Sequence, residues 1–244
     1  MDERTLYQVI DQSWLQRFDM TFPSESFVLA PVSAWRNKDE EDIAFIYQSS
    51  TLTLLCVEAA FQDEIETAVR AQEPSLLSLS ALVDAELAIN DRDYYLSESQ
   101  RFSICLYPDR EKYQVVEWEL SNSEHRANIE AFISNASEDD IHKADFDIDS
   151  EYFYAVIING ETAAMLASYC GFEPFEALSI LVQPKYRGLG VGKILLSSLI
   201  MATEKRQRVI RYRTNADNIA SIKLCESLGF TCHSCIQIIS RVME

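Results

Sequence analysis

The pattern of apolar and polar positions in the second half of the chain predicts a β-hairpin. Two apolar runs, residues 152–158 and 162–169, lie on either side of Asn159-Gly160. An Asn-Gly pair between such runs favours a two-residue turn, because both central positions of a type I′ turn need a positive φ. We therefore predict two antiparallel strands that are joined at this pair.

The apolar segments that follow predict a strand that leads into a helix. Residues 177–182 form a short apolar run with β-branched residues, which is typical of a buried strand. From residue 191 to residue 202, apolar side chains recur every three and four positions, as they do on the buried face of a helix. A glycine-rich segment, residues 187–192, therefore joins the end of a strand to the start of a helix.

Weaker patterns complete the C-terminal half. Asn218 can cap a short helix that stops at Gly229, since Asn caps helix starts and glycine tolerates the left-handed conformation at helix ends. The other predicted elements are a strand at 114–120, a helix at 124–134, a strand at 208–213 and a strand pair within 231–242. The fold class is α/β, and the predicted order is β-α-β-β-β-α-β-α-β.

The first 110 residues predict a smaller α/β domain. All six glycines of the chain follow residue 159, so the two halves are built differently. The predicted elements are a helix at 6–18, strands at 27–31, 43–47 and 52–57, and helices at 60–71 and 76–88. The polar stretch 91–110 favours a boundary there. We predict an N-terminal domain at 1–110 and a C-terminal domain at 111–244.

Charge is distributed unevenly along the chain. The formal net charge is −18, which argues against nucleic acid as a partner because its phosphate backbone would be repelled. Between Gln183 and Arg213, however, Glu204 is the one anion among eight cations: Lys185, Arg187, Lys193, Lys205, Arg206, Arg208, Arg211 and Arg213. This segment is suited to an anionic ligand, although a solvated helix face would account for part of it.

The six cysteines and the apolar runs indicate a reduced, intracellular setting. The cysteines are scattered, and a strand prediction at Cys232-x-x-Cys235 puts these two thiols on opposite faces, so we expect neither a metal site nor a disulfide. No run approaches the roughly 18 apolar residues of a membrane span, and the first residues lack a basic lead into an apolar stretch. We expect a cytoplasmic protein that does not bind membranes.

The glycine-rich segment carries the strongest chemical prediction. Where a strand turns into a helix through glycines, several main-chain N–H groups and the positive end of the helix dipole point at one spot, which favours phosphate. Lys185, Arg187 and Lys193 add charge around it. The segment is not a P-loop, which needs Lys and then Ser or Thr after its last glycine, nor the dinucleotide fingerprint G-x-G-x-x-G. A turn without a ligand is the alternative.

At these residues the chain resembles the GNAT superfamily of N-acetyltransferases. The signature of that family is Arg or Gln, two residues, Gly, one residue, then Gly or Ala, and Arg187-x-x-Gly190-x-Gly192 matches it. Downstream, Asn218-x-x-Ser221 and the later Gly229-Phe230 look like a second segment of the family. The resemblance covers about 130 residues and implies a GNAT-like mixed central sheet with flanking helices.

The resemblance also implies acetyl-CoA as cosubstrate and assigns residues to it. Main-chain N–H groups would hold the pyrophosphate at Arg187, Gly188, Leu189, Gly190, Val191, Gly192 and Lys193. Ile180 and Val182 would pair with the pantetheine arm, and Asn218 with Ser221 would contact it further along. Cys225 stands where the family commonly has a tyrosine that protonates the leaving thiolate. A weak acid and a small buried helix residue are both open for Cys225.

An amine acceptor has to lose a proton before it attacks the thioester, and a carboxylate is the natural base. Glu176, with Glu173 behind it, precedes the central strand, and we predict Glu176 as the base. The acidic remainder of the chain favours a cationic amine. A non-catalytic acyl-CoA sensor is the alternative. Residues 1–110 could be a degenerate acetyltransferase half, a lid, an acceptor wall or a homodimer face.

Overall fold

The computed structural model describes residues 2–21, 23–71, 82, 84–98, 100–101 and 112–242. Within it the chain forms two compact units that are not contiguous in sequence. Unit one comprises Met1–Asp93, Thr214–Asp217 and Cys232–Glu244, and unit two comprises Tyr94–Arg213 and Asn218–Thr231. Strands β4, Ala85–Tyr95, and β9, Val209–Asn215, each contribute residues to both units.

The described part of unit one contains two α-helices and a sheet of five strands. The helices are α1, Glu3–Arg17, and α2, Gln62–Ala71; the strands are β1, Phe27–Ala30, β2, Asp42–Ser49, β3, Thr53–Val57, the first part of β4, and β10, Thr231–Arg241. Their order in the sheet is β1-β3-β2-β10-β4. β1 runs parallel to β3, whereas β2 is antiparallel to both β3 and β10.

The core of unit one has an aromatic and an aliphatic side. Because successive strand residues point to opposite faces, β2 supplies both sides. On one side the ring of Trp14 in α1 lies 5.6 Å from that of Phe45 and 5.2 Å from that of Tyr47. On the other side, Ile65 of α2 packs in an aliphatic cluster with Ile46 of β2.

The described part of unit two contains a mixed sheet and four α-helices. Its strands are β5, Gln114–Trp118, β6, Tyr152–Ile158, β7, Glu161–Phe172, β8, Phe175–Val182, and β9. Their order is β9-β8-β7-β6-β5, and each pair is antiparallel except β8 and β9, which are parallel. The helices are α3, Ser123–Ser134, α4, Glu138–Ala144, α5, Val191–Lys205, and α6, Ile219–Glu226.

Helices cover both faces of this second sheet. One core cluster joins α5 and α6 to the strands through residues such as Leu195, Cys225 and Val156. The other joins α3 to the opposite face through residues such as Ile129 and Phe153. The neighbouring strand residues Phe153 and Tyr154 thus lie in different clusters, as the two-residue period of a strand requires.

The structure confirms the mixed α/β fold class and the hairpin at Asn159-Gly160. Asn159 has φ 52° and Gly160 φ 80°, so both turn positions adopt the left-handed conformation that the pair predicts. Gly229, with φ 84°, likewise follows the end of α6 in that conformation. The helix with apolar spacing begins at Val191, one residue after Gly190.

Three elements differ from the sequence prediction. The predicted helix at 76–88 is wrong at its C-terminal end, because Ala85–Tyr95 is a strand; residues 76–81 and 83 lie outside the described residues. The predicted strand pair within 231–242 is one continuous strand, β10. Helix α4 was not predicted. The grouping of 111–244 as one domain stays a prediction, and β10 belongs to unit one because it pairs with β2.

Candidate functional site

The glycine-rich segment lies between the end of β8 and the start of α5. After Val182 the chain makes a short 3-10 turn at Pro184–Tyr186 and then runs extended at Arg187, with φ −64° and ψ 146°. Gly188 follows with φ 77° and Gly190 with φ 83°. A side chain with a Cβ adopts these positive φ values only with strain, so glycine at both positions allows the sharp entry into α5.

The main-chain N–H groups of this segment are available to a ligand. Among the described residues, no hydrogen-bond acceptor is found for the N–H groups of Gly188, Gly190, Val191, Gly192 and Lys193. The first intrahelical bond is donated by Ile194 to the carbonyl of Gly190, at 3.2 Å. Gly190 caps the helix start without a side-chain hydrogen bond. Several donors and the positive end of α5 therefore meet at one place, which suits a diphosphate.

Two cations beside the segment are held by carboxylates. Arg187 Nη2 donates to Asp140 Oδ1 of α4 at 2.6 Å, and its Nε donates to the carbonyl of Val182 at 3.2 Å. Lys185 pairs with Glu161, whose carboxylate also accepts a hydrogen bond from the Tyr186 hydroxyl. The hydrogen bond that the Lys185 ammonium group donates to Glu161 raises the pKa of Lys185 above its ordinary value. These pairs fix the base of the loop.

Lys193 differs from these two cations. Within the described part of the chain, no carboxylate lies within ion-pair distance of its ammonium group. It occupies the first turn of α5, where its positive charge adds to that of the helix end. Lys193 is thus the cation beside the loop that stays available for an anion.

Strands β8 and β9 are paired over only part of their length. Their parallel register covers Phe175, Glu176 and Ala177 of β8 and ends there, although β8 continues to Val182. On its other edge β8 pairs with β7 as far as Val182. The edge of β8 that carries Ile180 and Val182 is thus not paired with β9, which leaves main-chain groups for an extended ligand.

Asn218, Ser221 and Tyr212 form a polar group at the start of α6. The Asn218 side chain caps this helix and accepts a hydrogen bond from the Ser221 N–H at 3.2 Å. The Ser221 hydroxyl lies 2.9 Å from the hydroxyl of Tyr212 in β9. Burial raises the pKa of the Tyr212 hydroxyl well above its ordinary value. Tyr212 is a polar residue beside the predicted cofactor contacts that the sequence did not single out.

Cys225 is buried in α6. Its side chain is fully shielded from solvent, it belongs to the core cluster that holds α5 and α6, and its thiol donates to the carbonyl of Ile222 at 3.2 Å. The geometry agrees with a small core residue. Its assignment as an acid stays a prediction.

Glu176 is held in a buried network. Its side chain is 1% exposed, and its carboxylate accepts hydrogen bonds from the Ser168 hydroxyl at 2.8 Å and from Arg206 Nη2 at 2.6 Å and Nε at 3.1 Å. Arg206 Nη1 also donates to the Tyr154 hydroxyl at 3.2 Å. Glu176 lies where β8 and β9 are still paired, opposite Ile210. Its role as the base stays a prediction.

Asp140 and Arg206 form ion pairs with predicted site residues, and neither is identified as a site residue from the sequence. Asp140, which binds Arg187, lies on α4, whose start is capped by Ser137; the Ser137-x-x-Asp140 spacing is a helix-start signal that was available. Arg206, which binds Glu176, was counted only as one cation among eight. Nothing in the sequence connects Arg206 to a residue 30 positions earlier.

No metal centre is found in the described part of the chain. There, no group of three or more His, Cys, Asp or Glu side chains is arranged to hold a metal ion. The five cysteines within it, Cys56, Cys170, Cys225, Cys232 and Cys235, carry free thiols. None of the described helices has the length and apolar character to cross a membrane.

This combination of fold and loop defines a class of protein. A mixed sheet has a parallel pair that separates before a glycine-rich turn, and the N–H groups at the helix start are free to bind an anion. Residues 112–230 match the sequence model of the Acetyltransferase (GNAT) family. This part of the chain belongs to that family.

Two curated relatives are named as N-acetyltransferases. The ribosomal protein bS18-alanine N-acetyltransferase of Escherichia coli (strain K12) is 37% identical over 73 residues, which are 30% of this chain and 49% of that protein. An uncharacterized N-acetyltransferase of Methanocaldococcus jannaschii is 28% identical over 90 residues, 34% of this chain and 40% of that protein. The matches therefore span less than half the length of either relative.

Solved structures add a likeness in fold. A functionally unknown conserved protein from Staphylococcus epidermidis ATCC 12228 superposes with a TM-score of 0.50 at 9% identity. The superposition covers 70% of this chain and 68% of that one.

Proposed function

We propose that this protein is an acetyl-CoA-dependent N-acetyltransferase that transfers the acetyl group to a primary amine. The observation that carries the proposal is the set of free main-chain N–H groups at Gly188, Gly190 and the first turn of α5. They lie beside the unpaired edge of β8, and both features fall inside a domain of the GNAT family.

Each part of the cosubstrate has a matching part of the site. The loop and Lys193 offer N–H donors and one cation to the diphosphate. The edge of β8 near Ile180 and Val182 is not paired with β9, and we infer that its main-chain groups bind the amides of the pantetheine arm beside the Val182 carbonyl that Arg187 contacts. Asn218 and Ser221 stand at the start of α6, and we infer that they contact the same arm further along.

The reaction we propose is direct attack by the neutral amine on the thioester carbonyl. The nitrogen–carbon bond forms, the carbon–sulfur bond breaks, and coenzyme A leaves as a thiolate that is tolerable near neutral pH. The ammonium proton has to be removed before attack. Glu176 is the candidate that the sequence offers for this step, either directly or through a water chain.

The charge of the protein supports a cationic acceptor. A net charge of −18 attracts polyamines, amino sugars and peptides with lysine or N-terminal amines. The curated relative from Escherichia coli is named for acetylation of an alanine in a ribosomal protein. Peptides with a free N-terminus therefore belong in any search for the acceptor.

A second candidate is a sensor that binds acyl-CoA without turnover. Two observations favour it. Cys225, at the position where the family commonly has its acid, is buried in the core. The Glu176 carboxylate is occupied by Arg206 and Ser168. A sensor needs the loop but neither of these groups.

The experiment that separates the two candidates has two stages. Titration calorimetry with acetyl-CoA measures whether the protein binds the cosubstrate. Release of coenzyme A, resolved chromatographically from acetyl-CoA, is then followed with spermidine, an amino sugar, a lysine peptide and an N-terminal alanine peptide. We expect micromolar binding and acceleration by one class of amine, in line with usual KM values.

The outcomes are distinct. Binding without release for any amine would assign the sensor function. No binding of acetyl-CoA would refute both candidates. For a cationic acceptor, kcat/KM should fall as salt is added, because screening weakens steering. A kcat/KM that does not change with salt would contradict the inference that the negative charge of the protein steers a cationic acceptor to the site.

A further inference from the structure

A buried ion pair links the two elements that flank the loop. Glu176 lies at the start of β8, and Arg206 caps the end of α5. The loop joins the other ends of these same elements. A helix of 15 residues rises about 22 Å, so the ion pair and the N–H groups lie at opposite ends of one rigid rod.

The contacts of Arg206 fix the end of this helix in several directions. Two of its nitrogens bind the two oxygens of Glu176, and a third donates to the Tyr154 hydroxyl. Its guanidinium carbon also lies 4.0 Å from the ring centroid of Tyr152. Burial disfavours the charged guanidinium, but the hydrogen bonds with Glu176 and Tyr154 outweigh burial and raise the pKa of Arg206. α5 is thus attached to β8 and β6 together.

The same contacts obstruct the approach of a substrate to the Glu176 carboxylate. Both carboxylate oxygens are used, by Ser168 and twice by Arg206, and the side chain is 1% exposed. An ammonium group would have to displace Arg206 to reach it. Buried charges persist in proteins when they are paired and hydrogen-bonded, and the Glu176 carboxylate accepts three hydrogen bonds.

We propose that Glu176 and Arg206 are positioning residues that hold α5 against β8 and so set the orientation of the phosphate-binding N–H groups. The inference rests on the proposed function in one respect, namely that acetyl-CoA binds at the loop. It assigns to Glu176 a role in cosubstrate affinity rather than in proton transfer. The base is then a different group or a water molecule.

Four variants of the full chain test this inference: Glu176→Gln, Arg206→Met, Arg206→Lys and the double variant Glu176→Gln/Arg206→Met. Arg208→Met is the matched control, because Arg208 also pairs with a carboxylate, that of Glu173, which is 74% exposed. The measurements are Kd for acetyl-CoA by calorimetry, and kcat, KM and the pH dependence of kcat with an amine that the wild type acetylates.

We expect Kd for acetyl-CoA to rise about three- to tenfold in Glu176→Gln and in Arg206→Met, because small misplacements of a binding group are costly. The double variant should match the single ones, since all three remove the same pair. Arg206→Lys should recover part of the affinity, and Arg208→Met should bind as the wild type does. The acidic limb of the kcat profile should persist in Glu176→Gln.

Opposite results overturn the inference. If Glu176→Gln binds acetyl-CoA normally but loses about 100-fold or more in kcat together with the acidic limb, Glu176 is the base. Unchanged Kd in all four variants also overturns the positioning role. If Arg206→Met does not fold, Glu176→Gln and Arg206→Lys decide the matter. A wild type that does not bind acetyl-CoA refutes the proposed function, and the inference with it.

Discussion

Replacement of Gly190 by valine tests the loop most directly. Gly190 has φ 83° and ψ 3° at the start of α5, a conformation that costs an L residue about 1–2 kcal/mol. The valine variant relieves this strain by turning the local peptide groups. We expect the N–H groups of Gly190 and Val191 to move away from the diphosphate.

The structure gives the expected size of the effect. Hydrogen bonds to a charged group contribute about 1.5–3 kcal/mol each, so two lost bonds amount to about 3–6 kcal/mol. At about 1.4 kcal/mol per tenfold change, Kd for acetyl-CoA should rise roughly 10²- to 10⁴-fold. The folded state is destabilised only by this strain of about 1–2 kcal/mol, so Tm should fall by about 2–8 °C. Calorimetric titration and thermal unfolding measure the two quantities.

Gly160→Val is a matched control for this prediction. Gly160 has φ 80°, and nothing lies within 4 Å of the place where its Cβ would be. The substitution imposes similar strain in the hairpin turn and should lower Tm by a similar amount without any change in Kd. The reasoning is refuted if Gly190→Val binds within threefold of the wild type, or if Gly160→Val weakens binding as strongly.

Three further predictions concern single sites. Asp11 is buried, and although burial disfavours its carboxylate, the hydrogen bonds from His233 and other groups lower its pKa. The stabilisation that the ionised Asp11 provides is therefore present above about pH 4 and is lost as pH falls through the lowered pKa. Asp11→Asn should lower the free energy of unfolding, measured in urea, by about 3 kcal/mol at pH 7 and by progressively less in acid. An equal loss at every pH would contradict this. A Cβ on Gly192 would lie 3.2 Å from Leu224 Cδ2, so Gly192→Val should lower the free energy of unfolding by about 1–3 kcal/mol. Adding Leu224→Ala to this variant should recover part of the loss, whereas the losses at two independent sites would add. Cys225→Ala should change kcat less than about threefold if the thiol is structural, whereas a loss of 100-fold would make it the acid.

The elements that the sequence predicts well are those whose signal is local. The Asn159-Gly160 turn, the apolar run at 177–182 and the helical spacing after Gly190 each depend on neighbouring residues, and the structure shows the elements they predict. The geometry of the glycine-rich segment 187–192 belongs to the same group, because its glycines and the helix start are adjacent in the chain; phosphate binding there stays a prediction.

The elements that were missed depend on distant partners. β4 contains Asp91 and Asp93, residues of low strand propensity, and its place beside β10 in the sheet of unit one supplies what the local sequence lacks. The ion pair of Glu176 with Arg206 joins the two elements on either side of the glycine-rich segment 187–192, so no spacing rule predicts it. The position of Glu176 at the start of a strand therefore does not reveal that its carboxylate is buried and paired.

The position of β10 has a consequence for how the protein is made. This strand lies between β2 and β4 in unit one, and the hydroxyl of Ser240 donates to the carboxylate of Asp42, 198 residues earlier in the chain. A nascent polypeptide therefore leaves the edge of β2 that pairs with β10 exposed until the residues of β10 have been translated. Deletion of β10, Thr231–Arg241, should leave the N-terminal segment aggregation-prone in cells, even though the glycine-rich segment 187–192 is intact.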